Sequence, residues 1–362
     1  MAHDSSWSND IAASLRSAGH ETHLVDFATL AAGAMPTNRR DAERLLQFFS
    51  SVELVPRPRH PWLQHIALIG PLRRRIRAIR PDIVLCLYGG RFALAAFASG
   101  FRPYSVYVVG SDVLLAGRVQ RLMNRFLLSS AAIVFANGNH LARRTQLQAP
   151  AARIQPLLIG VMTENLIRRP REPTPLIFSH RTFSATYDNA TIIRALAVLP
   201  ADVPPFRMVF ASGGPDLEAA KQLAEALLPP HIRRHVEFWG GRALYADIIA
   251  SLSKTDLYIS MSLSDGMPTS VLEAMACGAF PILSDIPANR QLLEQVEHLG
   301  AFIPPSDHLA LAHCIDRCLR NIDEQRALAD AIQARILSIG DAKKTRRVLA
   351  DELTRAVARR SH

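Results

Sequence analysis

Short runs of apolar residues alternate with amphipathic segments through the first half of the chain. Apolar runs occur at 82–87, 105–109 and 132–136, and stretches of helical periodicity at 71–79 and 119–129 separate them. Apolar runs this continuous are typical of strands buried on both faces of a parallel sheet. Because strands and helices alternate, the pattern predicts an α/β domain in which helices cover the sheet.

The pattern breaks near the middle of the chain and then restarts. Three prolines within 170–175 predict a stiff linker. Beyond it, apolar runs alternate with helical segments again and predict a second doubly wound domain. Its expected strands lie at 176–178, 207–211, 236–238, 257–261 and 280–283.

The chain of 362 residues, 49% of them hydrophobic, is long enough for two domains. We expect a first domain at 1–165, a second at 166–340, and a basic helix at 341–362 that returns to the first domain. A helix is predicted so near Met1 that no strand fits before it. Either the natural start lies upstream or the first sheet lacks a strand.

The composition predicts a cytoplasmic protein. No run of about 18 apolar residues suggests a membrane-spanning helix, and the start does not have the pattern of a signal peptide. The four cysteines are scattered, which indicates a reducing compartment. Cys314 and Cys318 lie four apart, but no second pair has ligand spacing, so we expect no metal site.

The net charge of +10 is unevenly distributed. Residues 1–165 carry 19 arginines and 10 acidic residues, residues 341–362 carry a net +4, and the segment between them carries a net −3. The basic first half could face an anionic membrane or an acidic acceptor, or simply keep the protein soluble. The basic segment Arg73 to Arg77 lacks interleaved aromatic residues, so nucleic acid is not expected, whereas a membrane surface or solvent remains open.

The strongest candidate site follows the predicted strand at 257–261. A loop leads through Asp265, Gly266 and Pro268 into a helix that begins near Thr269 or Ser270 and contains Glu273. Free backbone N–H groups at such a helix start suit a pyrophosphate, and Ser270 could cap the helix. The two carboxylates could accept hydrogen bonds from sugar hydroxyls. The alternative is an incidental loop carboxylate with a surface glutamate.

The segment Asp265 to Gly278 resembles the donor-binding signature of the family 4 retaining glycosyltransferases. That signature is a carboxylate, Gly, any residue and Pro, then three residues, then Leu-Glu-Ala-Met-Ala and Gly; Asp265 stands where Glu is usual. Weaker similarities include Gly110-Ser111-Asp112 and the strand that runs from Val236 to Gly240. The resemblance implies the GT-B fold, in which two Rossmann-like doubly wound domains face a cleft.

The resemblance also implies roles for individual residues. Glu273 would bind the ribose hydroxyls, Arg181 would neutralise the leaving phosphates, and Asp265 would bind hydroxyls of the transferred sugar. Tyr187 occupies the region where the family usually has a lysine. Asp112 is either a base that contacts the acceptor or the cap of a helix near Val113. The remaining expected donor contacts are Gly266, Met267, Pro268, Thr269, Ser270, Val271 and Gly240.

The implied reaction transfers a hexose-type sugar from a nucleotide-sugar donor to a hydroxyl of a saccharide or lipid-linked saccharide. Bacterial surface polysaccharide or glycolipid synthesis is the expected setting, with the enzyme cytoplasmic or peripheral at the inner face of the membrane. Asp-X-Asp is absent, so we expect a metal-independent enzyme with no cofactor. The alternatives are a nucleotide-sugar epimerase and a non-catalytic protein that binds sugar nucleotides, the latter suggested by the missing lysine.

Overall fold

A computed structural model describes residues 6–27, 46–56, 58–162, 166–241 and 244–359. The chain divides into two compact units, residues 1–159 with 343–362 and residues 160–342. No helix among the described residues combines the length and the apolar character that crossing a membrane requires.

The first unit is built around parallel strands, as the apolar runs predict. A four-stranded sheet has the order β3-β4-β5-β6, and β1 pairs with β2 in a separate parallel sheet. The bounds are α1 Ser6–Ser17, β1 His23–Phe27, β2 Ser51–Val55, α2 Pro61–Ile66, α3 Ile69–Ile79, β3 Val84–Leu87, α4 Arg91–Ser99, β4 Tyr104–Val108, α5 Ser111–Leu114, α6 Arg118–Ser129, β5 Val134–Ala136, α7 Asn139–Gln148 and β6 Ile154–Pro156.

The C-terminal helix α17, Ala342–Ala358, packs on this first unit. Leu349, Leu353 and Ala356 are spaced to lie on one face of the helix, and they join the cluster of Tyr107 and Phe135 on the sheet. The Arg153 side chain also pairs with Glu352 at 2.8 Å. An apolar stripe on an otherwise basic helix therefore completes the core of the unit that begins the chain.

The second unit has a six-stranded parallel sheet of order β12-β11-β10-β7-β8-β9. The strand order reverses at β7, which lies between β10 and β8. The bounds are β7 Leu176–Ser179, α8 Asn189–Ala197, β8 Arg207–Phe210, α9 Leu217–Leu227, α10 Pro230–Arg233, β9 Val236–Phe238, α11 Tyr245–Leu252, β10 Leu257–Ser260, α12 Thr269–Ala276, β11 Phe280–Ser284, α13 Pro287–Arg290, β12 Ala301–Ile303, α14 His308–Arg320, α15 Ile322–Ala327 and α16 Ala329–Ile339, with 3₁₀ turns at Ala185–Tyr187 and Glu297–Leu299.

A buried carboxylate fastens the linker to the amino-terminal edge of this sheet. Asp256 directly precedes β10, and its side chain is 1% exposed. It accepts a hydrogen bond from the Leu176 amide at 2.8 Å and pairs with Arg326 at 2.8 Å. Arg171 lies 3.8 Å away and donates to the carbonyl oxygens of Ser253 and Cys277. The linker is thus held by charge and hydrogen bonds at the start of two central strands.

We expect Asp256→Asn to lower the free energy of unfolding by about 3 kcal/mol, because it leaves the partly buried Arg171 and Arg326 without their buried counter-charge. Urea unfolding followed by circular dichroism measures this loss. The matched control is Asp330→Asn, which removes the 84% exposed partner of Arg168 and should cost at most about 1 kcal/mol. Equal stability of the two variants would contradict the assigned role of Asp256.

Candidate functional site

Because the strand order of the second unit reverses at β7, a ligand site is expected at the carboxyl ends of β7 and β10. In open parallel sheets, ligands bind beyond the strand carboxyl ends at such a reversal. His180 and Arg181 follow β7 directly, and the loop with Asp265 connects β10 to α12. Because β7 and β10 are hydrogen-bonded neighbours, residues about 85 positions apart in the sequence come together here.

Arg181 is the centre of a buried polar cluster. Its guanidinium donates to the Ser270 hydroxyl at 2.6 Å and forms an ion pair with the Asp265 carboxylate. Its Cζ lies 4.1 Å from the centre of the Tyr187 ring. Burial by itself lowers the pKa of Arg181, but Asp265 and the neighbouring tyrosines outweigh burial and the net shift is upward. The cluster therefore holds a permanent cation at the start of α12.

Glu273 lies one turn inside α12 and is buried. One carboxylate oxygen accepts a hydrogen bond from the Tyr245 hydroxyl at 2.6 Å, and the other lies 3.2 Å from Nε2 of His180. The His180 ring in turn packs edge-on against Tyr258 at 5.4 Å. The surface-glutamate alternative is therefore wrong, because this carboxylate is enclosed and oriented by two aromatic side chains.

The start of α12 differs from the expected capping pattern. Pro268 is the N-cap residue and no side chain caps the helix, since the Ser270 hydroxyl binds Arg181 instead. The Val271 amide, expected to contact phosphate, donates to the Pro268 carbonyl oxygen at 3.0 Å. The amides of Thr269 and Ser270 remain as the first-turn donors that lack an intrahelical acceptor.

The loop before α12 is held by its own contacts. The second Asp265 oxygen accepts from the Gly266 amide at 2.8 Å, and Gln291 donates to the Gly266 carbonyl oxygen at 3.2 Å. Met267 is buried. Asp265 is thereby fixed between Arg181 and the loop backbone.

An aromatic side chain and two glycines in a tight turn follow β9. Trp239 follows β9 and packs edge-on against Phe178 at 5.8 Å. Gly240 and Gly241 have φ of 68° and 71°, and a Cβ on Gly241 would lie 3.0 Å from the backbone of Gly213. The two turns approach backbone to backbone, which only glycine allows.

The first unit has its own constrained loops, after β3 and β4. Asp112 is buried and accepts from the amides of Gly89 at 2.8 Å, Gly110 at 2.9 Å and Val109 at 3.2 Å. Burial raises the pKa of Asp112, and these amide donors oppose the shift. The side chain does not cap α5, whose N-cap residue is Gly110. Asp112 instead ties two loops together, a role that the sequence did not indicate.

Three further site residues lie outside the sequence prediction. His180 and Tyr245 contact the Glu273 carboxylate in the second unit. In the first unit, Tyr88, with φ of 99°, contacts the Ser111 hydroxyl at the loops that Asp112 joins. His180 adjoins Arg181 in the sequence, which was the available signal. Tyr245 lies on α11, and no sequence motif connects it to Glu273. No cluster of three or more possible metal ligands occurs among the described residues.

The two halves of the chain match two family models. Glycosyl transferase 4-like domain matches residues 8–160, and Glycosyl transferases group 1 matches residues 164–335. Among curated proteins, EpsD of Bacillus subtilis (strain 168), named as a glycosyltransferase, is 26% identical over 225 residues. That match covers 58% of this chain and 57% of EpsD, so the chain spans little more than half of this relative.

Solved structures share the fold over nearly the whole chain. HepE of Anabaena, solved in complex with UDP and glucose, has a TM-score of 0.76 at 17% identity, over 97% of this chain and 96% of HepE. Sucrose-phosphate synthase of Thermosynechococcus elongatus has a TM-score of 0.77 at 13% identity, over 97% and 93% of the two chains. The predicted GT-B fold is confirmed, and with both family models matched, this chain belongs to the family 4-like glycosyltransferases of the GT-B fold.

Proposed function

We propose that this glycosyltransferase moves a hexose-type sugar, with retention of configuration, from a nucleotide-sugar donor to an acceptor hydroxyl. The observation that carries the proposal is the buried cluster of Arg181, Asp265 and Ser270, which lies at the start of the same helix as the oriented carboxylate of Glu273. A fixed cation, a helix start and two carboxylates are the groups that a sugar nucleotide needs.

Each part of the donor has a matching group in the second unit. Glu273 would accept hydrogen bonds from the ribose hydroxyls. The diphosphate would lie at the α12 start, where first-turn amides and the helix dipole favour anions. Asp265 would bind hydroxyls of the transferred sugar. The UDP and glucose in the HepE structure favour a uridine nucleotide and a hexose.

The chemical step requires stabilisation of a leaving group. The bond between the anomeric carbon and the donor phosphate breaks, and a bond from that carbon to the acceptor oxygen forms on the same face of the sugar. The acceptor proton passes to an oxygen of the departing phosphate. Arg181 would stabilise the negative charge that develops there, without a metal ion or cofactor. Tyr187, where the family usually has lysine, holds the guanidinium by ring contact and adds no charge.

The acceptor would bind at the loops of the first unit. Tyr88 and Ser111 place two hydroxyl groups at the carboxyl ends of β3 and β4, and hydroxyl groups suit the recognition of a saccharide. We propose a saccharide or lipid-linked saccharide of a bacterial surface polysaccharide or glycolipid, glycosylated at the cytoplasmic face of the membrane.

A turnover assay tests the transfer. The purified full-length protein is offered UDP-, GDP- and ADP-sugars, each with and without mixed saccharide and lipid-linked acceptors, and release of nucleoside diphosphate is measured. We expect release from one donor class that requires the acceptor. Saturable donor binding without release across the whole panel would contradict transfer. That result would support the non-catalytic alternative. The alternative is motivated by Tyr187, an uncharged residue in the region where the family usually has a lysine.

A further inference from the structure

A band of large apolar side chains is exposed on helix α6 of the first unit. The inner side of this helix packs on the unit's core. On the outer side, apolar residues recur at i, i+3 and i+7, a spacing that aligns them in one stripe. They are Val119, 70% exposed, Leu122, 60%, and Phe126, 63%.

A stripe of arginines runs beside the apolar one. Arg118, Arg121 and Arg125 are exposed, and each directly precedes an apolar member of the band. We call these three arginines with Val119, Leu122 and Phe126 the α6 face. The neighbouring helix α7 extends it with exposed Arg143, Arg144 and Leu147. The two helices are joined by a hydrogen bond from Asn124 to Gln148 at 3.0 Å.

The surroundings of the α6 face are strongly basic. No acidic residue occurs between Asp112 and Glu164, whereas this interval contains six arginines. Besides burial, Arg144 and Arg143 lower the pKa of His140 on α7. The positive potential at this surface therefore has no local counter-charge from this part of the sequence.

The basic helix α3, singled out from the sequence, is a weaker candidate for the same partner. Ile69 and Leu72 of α3 pack against apolar side chains of the first unit. Arg74 and Arg75 already pair with Glu53 at 3.2 and 3.0 Å. Its apolar side is thus occupied and part of its charge is neutralised, whereas both stripes of the α6 face are exposed.

We propose that the α6 face docks the enzyme on an anionic lipid bilayer. Arginines attract anionic headgroups while the adjacent apolar side chains enter the interface, which is the pattern of an interfacial amphipathic helix. A second copy of the chain fits less well, because apposed arginine stripes would repel each other. Nucleic acid would leave the apolar stripe without a partner.

The position of the face gives the docking a purpose. Helix α6 begins at Arg118, six residues after Asp112, so the α6 face starts close in the chain to the loops where the acceptor is proposed to bind. A bilayer at this face would hold a lipid-linked acceptor near those loops. This purpose rests on the proposed function, whereas the docking itself does not.

Vesicle co-sedimentation of the full-length protein tests the docking. Vesicles of phosphatidylcholine, with and without phosphatidylglycerol, are mixed with wild type and with the triple variant Val119→Ser, Leu122→Ser, Phe126→Ser. We expect wild type to bind only the anionic vesicles, more weakly as salt rises, and the triple variant to bind at least about tenfold more weakly. A second triple variant, Arg118→Gln, Arg121→Gln, Arg125→Gln, should bind about a hundredfold more weakly, since each arginine contributes about fivefold.

A matched control removes exposed apolar side chains elsewhere. This control variant carries three substitutions at exposed residues of the second unit, Val198→Ser, Leu227→Ser and Leu309→Ser. It should bind vesicles like wild type. Wild type that ignores anionic vesicles, or a triple α6 variant that binds like wild type, would overturn the proposal. A wild-type dimer in analytical ultracentrifugation that the triple variant abolishes would overturn it in favour of self-association. Thermal shifts with UDP, measured without vesicles, report separately on the donor site.

Discussion

Arg181→Ala is expected to lower kcat about a thousandfold while changing nucleoside diphosphate affinity far less. The guanidinium is buried against Asp265 and Ser270, so in the proposed mechanism it is already placed where the departing phosphate would gain charge. A positioned group that stabilises developing charge contributes most in the transition state, and its loss lowers the rate of the chemical step. Steady-state kinetics with the donor and acceptor identified by the turnover panel, together with calorimetric nucleotide binding, measure both quantities.

The Arg181 variant also leaves Asp265 without its counter-ion, so folding must be controlled. Arg181→Ala combined with Asp265→Ala removes both charges and should recover stability without recovering turnover. Arg181→Lys keeps the charge but loses the planar fork, and should retain intermediate activity. Arg194→Ala, an exposed arginine on α8, is the matched control. A fully active Arg181→Ala protein would remove this residue from the mechanism.

Glu273→Ala is expected to raise the Kd for the nucleoside diphosphate about a hundredfold. Hydrogen bonds to a charged group contribute about 1.5–3 kcal/mol each, and a carboxylate facing a ribose can accept two of them. The contacts from His180 and Tyr245 orient this carboxylate before the donor arrives. Isothermal calorimetry with UDP, GDP and ADP measures the loss for whichever nucleotide binds.

The control for this variant is Glu324→Ala, an exposed glutamate of the same unit, which should bind nucleotide like wild type. Glu273→Gln keeps the size of the side chain and should fall between wild type and alanine, because one carboxamide oxygen still accepts. A Glu273→Ala protein that melts like wild type and keeps the wild-type Kd would show that the nucleoside binds elsewhere.

The sequence predicted much of the second unit because its central strands β7, β10 and β11 are fully buried. The apolar runs at 257–261 and 280–283 correspond to β10 and β11, and the helix after Pro268 is α12. Burial of this kind imposes continuous apolar runs that can be recognised locally. Strands such as β2, Ser51–Val55, and β12, Ala301–Ile303, are only partly buried, and the pattern did not indicate them.

The sequence also determined which residues of the segment from Asp265 to Gly278 share one loop and helix. Asp265 and Glu273 belong to a local motif whose spacing is set by the chain itself. The exposed stripes of α6, by contrast, were predicted only as part of a helix. Amphipathic periodicity does not distinguish a face that packs on the core from one that remains exposed, since the outcome depends on what the rest of the chain covers.

Only the tertiary structure decided what surrounds these residues. Arg181 meets Asp265 because β7 and β10 are neighbours in the sheet, and Tyr245 reaches Glu273 from a separate helix. Asp112 is a tie between two loops because β3 and β4 pair in register. Local sequence determines which groups each segment carries, but hydrogen bonds between groups remote in the chain depend on strand order, and strand order is a property of the whole fold.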